Sequence, residues 1–276
     1  MADQMTRFHQ EMADRATVVR KGKSKGPLGA EVANAHKVAK AMLAEGDNLL
    51  NRDVLLKYMR AFGLVNNGWP GFNHLQSWCN SSKVGLLQIP TEFADFLIYC
   101  SKYRPNTMLE IGGFTGGTSF ISAAFFKALN PAFKLTVVDL GDYVLLEQQT
   151  LDLLDIIIKA PMTSRDLYGQ EFDIVFIDGD HSYGWSKLDY VNVGRYARKV
   201  CGMHDITARE YFKEQGGVFR FWRQLRHSLA HELPILQIGH AAPNSGDNKD
   251  GDWMGIGILD FGSLTDEGRK KLSNAI

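Results

Sequence analysis

The sequence predicts an α/β fold, with a mostly parallel sheet of seven strands, helices on both faces and a helical N-terminal extension. Three observations lead to this prediction. Short apolar runs alternate with amphipathic helical patterns from residue 86 to the end of the chain. A glycine-rich turn follows the first run, and several runs end in an acidic residue, as is typical where the strands of an open parallel sheet meet a ligand crevice.

Length and composition favour a protein that acts on small molecules. The chain has 276 residues, of which 45% are hydrophobic, enough for one large domain with an extension. Lys plus Arg and Asp plus Glu each number 31, so no net charge draws the chain to nucleic acid or to a membrane. Three scattered cysteines and the absence of a long apolar run predict a cytoplasmic protein without disulfides.

Residues 1–85 are predicted to form the extension. They combine a short helix over 1–19, a basic linker over 20–29, two helices between 30 and 62, and an aromatic loop over 63–83. The helices could cap the site or form the interface of a homo-oligomer. Residues 86–276 are predicted to form the main domain, which opens with a helix whose N-cap is Thr91.

The first strand of the main domain ends in a turn suited to a ligand. Met108 to Ile111 form the apolar run, and a helical pattern reaches Leu129. Glycines let a ligand approach the backbone, and the first amides of the helix are unpaired donors. The acid Glu110 would repel a pyrophosphate and suits a ligand that carries an ammonium group. The residues expected to bind this ligand are Glu110, Gly112, Gly113, Thr115, Gly116 and Ser119.

Asp139 closes the second strand, Lys134 to Asp139. A carboxylate at the end of the strand beside the turn can accept hydrogen bonds from both ribose hydroxyls of a nucleoside. The sequence therefore predicts that the ligand is a nucleoside with a basic group.

A second polar cluster follows the fourth and fifth strands. Asp178 and Asp205, with His204 as a candidate third ligand, suit a hard divalent cation such as Mg²⁺. Such an ion lowers the pKa of a bound hydroxyl, and Asp180 or His181 could remove the proton. The same acids and histidines could instead cap the strand ends without metal.

The turn Glu110-x-Gly112-x-x-x-Gly116 resembles the first motif of class I methyltransferases that use S-adenosylmethionine (SAM). The segment Phe176 to Tyr183, followed by His-Asp at the next strand, resembles the branch with cephalosporin-hydroxylase-like proteins and macrolide sugar O-methyltransferases. The resemblance covers residues 86–262. It implies a Rossmann-like sheet with an antiparallel closing strand, SAM as cofactor, and a methyl acceptor bound at the sheet edge.

The resemblance also implies roles for individual residues. Asp178 and Asp205 take the positions of metal ligands, and Asp180 takes that of the base in the sugar enzymes. His181 stands where catechol-type enzymes carry a catalytic lysine. Two departures remain: Asp205 lacks a second polar residue after it, and residues 159–164 lack the Gly-Asp-Ser type sequence at the adenine edge.

The predicted function is SAM-dependent methylation of a small-molecule hydroxyl with Mg²⁺. Metal-independent N- or O-methylation and SAM binding without catalysis are the alternatives, and a metal-dependent hydrolase would leave the Glu110 turn without a purpose. The polar loop over residues 240–253 could be a lid over the acceptor or a hairpin.

Overall fold

The computed structural model describes residues 2–65, 75–81, 83–207, 215–239 and 254–265. Seven strands lie within these ranges: β1 (Thr107–Ile111), β2 (Lys134–Val138), β3 (Ile156–Lys159), β4 (Ile174–Ile177), β5 (Val200–His204), β6 (Ile235–Ile238) and β7 (Ile256–Asp260). They form one sheet in the order β3-β2-β1-β4-β5-β7-β6, in which only β7 runs antiparallel to its neighbours. The predicted α/β class is confirmed.

Eight α-helices surround the sheet in the described part of the chain: α1 (Ala2–Arg20), α2 (Gly26–Glu45), α3 (Arg52–Phe62), α4 (Pro90–Ser101), α5 (Gly117–Leu129), α6 (Gln148–Leu154), α7 (Tyr183–Asn192) and α8 (Gly217–Leu229). None of them combines the length and the apolar character that crossing a bilayer requires. Strand and helix alternate because the central strands β4, β5 and β7 are buried on both faces and need helices against each.

Two apolar cores lie on opposite faces of the sheet. One contains residues of α1 to α6, and the other contains residues of α7 and α8. The N-terminal helices therefore share a core with the sheet, as the stacked rings of Phe62 on α3 and Phe120 on α5 show, with centroids 4.2 Å apart. The predicted boundary at residue 85 divides elements that pack against one another.

The chain leaves β1 toward β2 and β3 and returns on the other side of β1 as β4 and β5. Between β1 and β4 the strand order reverses, and in open α/β sheets ligands bind beyond the carboxyl ends of the strands at such a point. The glycine turn after β1 and the polar residues after β2, β4 and β5 meet at this edge.

Several predicted boundaries were wrong. Thr91 is not the N-cap of α4, because Pro90 is tolerated in the first turn and moves the cap to Ile89. The basic linker is shorter than predicted, since α2 begins at Gly26 with a proline in its first turn. The sequence also predicts a helix from Tyr143 to Leu154, but α6 begins only at Gln148. The proposed lid at residues 240–253 and the sequence 69–72 of the aromatic loop lie outside the described residues.

Candidate active site

The turn after β1 is shaped by close packing of its glycines. Gly112 has φ of +90°, and a Cβ there would lie 2.2 Å from the carbonyl oxygen of Asp178. Gly116, also at φ +90°, is the N-cap of α5, and a Cβ on Gly117 would lie 1.9 Å from the carbonyl oxygen of Gly85. The turn thus sits directly on the end of β4 and on the segment before α4, where only glycine fits.

Glu110 lies beneath this turn and is completely buried. Its Oε2 accepts a hydrogen bond of 2.5 Å from the Ser119 hydroxyl, and its Oε1 has no partner among the described residues. Burial raises the pKa of Glu110 well above its usual range, and the nearby charges of Asp178 and Asp139 act in the same direction. A cation near Oε1 would stabilise the charged carboxylate.

Asp139 connects the end of β2 to the turn. Its Oδ2 accepts hydrogen bonds of 3.0 Å from the backbone N–H groups of Gly113 and Phe114, and its Oδ1 accepts one of 2.7 Å from Leu140. Burial raises the pKa of Asp139 despite these bonds. The carboxylate thus holds the turn in place, and the predicted ribose hydroxyls would compete with the main chain for its oxygens.

Four side chains after β4 and β5 form the acid–histidine cluster: Asp178, His181, His204 and Asp205. One ligand atom from each lies within 4.8 Å of the others. His204 Nδ1 lies 3.0 Å from Asp178 Oδ1, and His181 Nε2 lies 2.6 Å from Asp205 Oδ2. Asp205 has φ of +56°, a left-handed conformation that is uncommon for a non-glycine residue and recurs at functional sites.

The cluster compensates its own charges. Burial opposes ionisation of Asp178, but the neighbouring His204 and His181 lower the pKa of this carboxyl to about 2. Burial also disfavours the imidazolium forms, yet the two carboxylates raise the pKa of His181 to about 10 and that of His204 to about 9. The acids and the imidazoles of the cluster therefore compensate one another's charges without a bound ion.

The cluster also fits a divalent metal ion. Two carboxylate oxygens and two imidazole nitrogens converge, and the nitrogen that His204 turns toward both carboxylates is Nδ1. Carboxylates are the ligands that Mg²⁺ prefers, whereas imidazoles favour ions such as Zn²⁺ or Fe²⁺. His181, predicted as a base, thus joins the three residues predicted as ligands, and the donor set admits more ions than the predicted Mg²⁺.

One cavity of about 670 Å³ adjoins both the turn and the cluster, and its volume is that of a typical small-molecule site. Of the residues predicted to bind the cofactor or metal or to act in catalysis, most line its wall: Gly112, Gly113, Thr115, Asp139, Asp178, Asp180, His181, His204 and Asp205. Glu110, Gly116 and Ser119 lie behind this wall. Gly116 and Ser119 therefore support the turn, and Glu110 lies directly beneath it, with its Oε1 unpaired among the described residues.

Sequence reasoning missed several residues of the wall. Thr118 lines the cavity, whereas its neighbour Ser119 faces Glu110. Met162 and Ser164, from the segment that departs from the related motif, line it as well. Asp189 on α7 accepts a hydrogen bond of 2.6 Å from the Ser164 hydroxyl, and burial raises its pKa to about 6. Ser182, a residue type that favours the N-cap of a helix, was the available sequence signal for the helix that carries Asp189.

Gln88, which precedes α4, was also missed. It lines the cavity and donates a hydrogen bond of 2.7 Å from Nε2 to Asp178 Oδ2. Its position just before a predicted helix carried no chemical signal.

No protein-family model matches the chain, and the search of curated proteins finds no match. Solved structures of similar fold include the O-methyltransferase from Bacillus cereus in complex with SAH. It has 12% identity and a TM-score of 0.48, with 69% of this chain and 90% of that chain covered. For the O-methyltransferase TomG from Streptomyces achromogenes, solved with SAM and involved in tomaymycin synthesis, the identity is 15%, the TM-score is 0.46 and the coverages are 70% and 86%. The SAH-bound methyltransferase PaMTH1 from Podospora anserina has 12% identity and a TM-score of 0.44, with 75% of this chain and 87% of that chain covered.

Similarity at this level does not bear on activity. The strand order, with its single antiparallel strand β7, is nevertheless the arrangement that the sequence resemblance implies. The chain therefore has the Rossmann-like α/β sheet of seven strands that the sequence predicts.

Proposed function

We propose that this protein transfers a methyl group from SAM to a hydroxyl of a small molecule, with a divalent metal ion in the acid–histidine cluster. One observation carries the proposal. A single cavity is walled on one side by the glycine turn and Asp139, and on the other by the cluster. Donor and acceptor sites that open into one cavity can hold the two reacting groups in line, and such positioning supplies much of the rate in methyl transfer.

The turn side suits the cofactor. The backbone of Gly112 and Gly113 lets the methionine part approach closely, and Asp139 stands at the strand end where a ribose would lie. The unpaired Oε1 of Glu110 supports a positively charged group nearby. The apolar side chains of Leu140 and Met162 on the wall suit the adenine ring.

The cluster side suits the acceptor. A divalent ion held by Asp178, His181, His204 and Asp205 would lower the pKa of an acceptor hydroxyl. The acceptor oxygen attacks the methyl carbon, the carbon–sulfur bond breaks, and its electron pair returns to sulfur to leave S-adenosylhomocysteine (SAH). The hydroxyl proton passes to a base of the protein.

Asp180 fits the role of this base better than His181 does. Its carboxylate lines the cavity, and Oδ1 accepts a hydrogen bond of 2.8 Å from the Ser182 backbone N–H, which orients it. His181 is not available as a base in either state of the cluster. With metal its nitrogen would be a ligand, and without metal its carboxylate partners raise its pKa to about 10, so that it is already protonated near neutral pH. The self-compensated cluster keeps the metal-independent alternative open, in which Asp180 acts alone.

Calorimetric titration tests the proposal. SAM is titrated into the protein with Mg²⁺, with Mn²⁺ and with a chelator, alongside the variants Glu110→Ala and Asp178→Ala. We expect binding in the micromolar range that is weakened at least tenfold by Glu110→Ala and largely kept in Asp178→Ala, because only the first removes a group on the cofactor side. Loss of metal binding in Asp178→Ala is expected in the same experiment.

An absence of SAM binding under every condition would refute the proposal. SAM binding without any metal binding would support the metal-independent alternative. A protein that binds SAM but releases no SAH with a panel of hydroxyl acceptors would be a SAM-binding protein without catalysis.

A further inference from the structure

Gln88 occupies a position between the two sides of the cavity. It lies in the segment just before α4, its side chain is only 1% exposed, and it lines the cavity wall. A glutamine side chain buried to this degree normally satisfies both ends of its amide group, because an unpaired buried polar atom costs free energy.

The orientation of the Gln88 amide follows from its partner. Oδ1 of Asp178 lies 3.0 Å from His204 Nδ1, which leaves Oδ2 to face Gln88. The NH₂ group of Gln88 donates a hydrogen bond of 2.7 Å to this Oδ2. Oε1 of Gln88 then points elsewhere, and among the described residues it has no partner.

A second unpaired acceptor belongs to the same neighbourhood. Glu110 Oε1 is buried and has no partner among the described residues, and Ile111, the next residue after Glu110, accepts a hydrogen bond of 2.9 Å from the backbone N–H of Asp178. Gln88 is thus bonded to Asp178, Glu110 lies next to a residue bonded to it, and each offers one oxygen. A hydroxyl has a single proton and could satisfy only one of them, whereas an ammonium group has three N–H donors and could satisfy both.

We propose that Gln88 is a ligand-binding residue that reads the amino group of the cofactor: its Oε1 accepts a hydrogen bond from the ammonium of the methionine moiety while its Nε2 holds Asp178. The inference rests on the proposed function, because it assumes that the cavity binds SAM. It adds a physical link between the two sides of the cavity, since the residue that binds the amino group also orients a carboxylate of the acid–histidine cluster.

The test compares two ligands in one variant. SAH and its analogue in which hydrogen replaces the amino group are titrated by calorimetry into the unaltered protein and into Gln88→Met, which keeps the length of the side chain but neither hydrogen bond. We expect Gln88→Met to weaken SAH binding about tenfold or more and to change binding of the analogue less than about twofold. Because both ligands meet the same variant, a general disturbance of the site cancels in the ratio.

Two further variants complete the design. Met162→Leu, an apolar exchange elsewhere on the cavity wall, should affect SAH and the analogue equally. Gln88→Glu keeps an acceptor oxygen but loses the donor to Asp178, so it should retain the preference for SAH over the analogue. It serves as the second test if Gln88→Met does not fold.

Equal weakening of both ligands in Gln88→Met, no weakening of SAH, or loss of the preference in Gln88→Glu would overturn the role of Gln88 while leaving the proposed function intact. Failure of the unaltered protein to bind SAH would overturn both.

Discussion

The two sides of the cavity treat buried charge in opposite ways. On the turn side, neither Glu110 nor Asp139 has a cationic partner in the part of the chain that the structure describes, and burial raises the pKa of each. On the cluster side, every carboxylate has an imidazole beside it, and the pKa of Asp178 is lowered to about 2. An added cation would stabilise the ionised carboxyls of the turn side, whereas the cluster side already contains two imidazolium groups.

This difference predicts that the cofactor can bind without the metal ion. A ligand with an ammonium group relieves an existing electrostatic cost on the turn side, so cofactor binding needs no metal. A metal ion on the cluster side must replace the protons of His181 and His204, since an imidazole binds metal only in its neutral form. The turn side is also shaped mainly by backbone, and the cluster side by side chains.

The largest expected effect comes from Gly112→Ala, which disturbs the point where the two sides touch. The new Cβ would lie 2.2 Å from the carbonyl oxygen of Asp178, and φ of +90° is unfavourable for alanine. We expect a loss of more than about 3 kcal/mol in the free energy of unfolding, measured by urea denaturation.

Gly169→Ala is the matched control. Gly169 also has positive φ, +74°, but a Cβ there meets nothing within 4 Å. Only the backbone cost of about 1 kcal/mol is expected. Equal losses in the two variants would mean that the contact between turn and β4 contributes little.

The next prediction compares one substitution on each side, for which the changes in the free energy of unfolding are expected to differ in direction. Asp178→Asn removes a buried charge that is paired with His204, and breaking such a pair costs about 3 kcal/mol. Glu110→Gln removes a carboxyl whose pKa burial has raised, so its ionised form opposes folding at neutral pH. We expect Glu110→Gln to be neutral or stabilising at pH 7 in the same denaturation experiment.

Similar losses for Asp178→Asn and Glu110→Gln would contradict the contrast in charge pairing. Asp142→Asn provides an exposed reference, since Asp142 forms a partly exposed ion pair with Arg20 at 2.6 Å. Its loss should stay below about 1 kcal/mol.

The smallest expected effect comes from Asp189, which lines the cavity but belongs neither to the turn side nor to the acid–histidine cluster. Burial raises its pKa to about 6, with a smaller contribution from the charge of Asp180, against an ordinary value of 3.8. Between these two pH values the folded protein holds a proton that the unfolded chain has lost. The stability that this group contributes is therefore complete below about pH 4 and is lost as the pH rises through 6.

The variant Asp189→Asn should remove this decline. We expect the free energy of unfolding of the unaltered protein to fall by about 2 kcal/mol more than that of the variant between pH 4 and pH 7. Parallel pH profiles of the two proteins would show that Asp189 ionises as it does in the unfolded chain.

Much of the sheet could be predicted because most strands are short apolar runs, several of which are closed by a polar residue. The run Ile235 to Ile238 matches β6, and the acids after β2, β4 and β5 were expected at one edge. Helix α7 was missed, since Trp185, Lys187 and Asp189 mix apolar and charged residues without a clear helical period.

The site was predictable only where strand ends determine position. Asp178, Asp180 and Asp205 follow strands directly and line the cavity. Whether Thr118 or Ser119 faces the cavity depends on the rotation of α5, because neighbouring helical residues differ by about 100°. Gln88 reaches the site from a segment distant in sequence, and a single sequence contains no sign of that contact.

The stacked rings of Phe62 and Phe120 have a consequence for how the chain can be divided. Phe120 belongs to the first turn of α5, directly after the glycine turn, and its ring is covered by an element of the first 85 residues. Proteolytic removal of those residues would place this ring in water and loosen the helix that carries the turn. The two parts should therefore resist proteolysis together or be degraded together, and separately produced fragments should reassociate before either gains lasting structure.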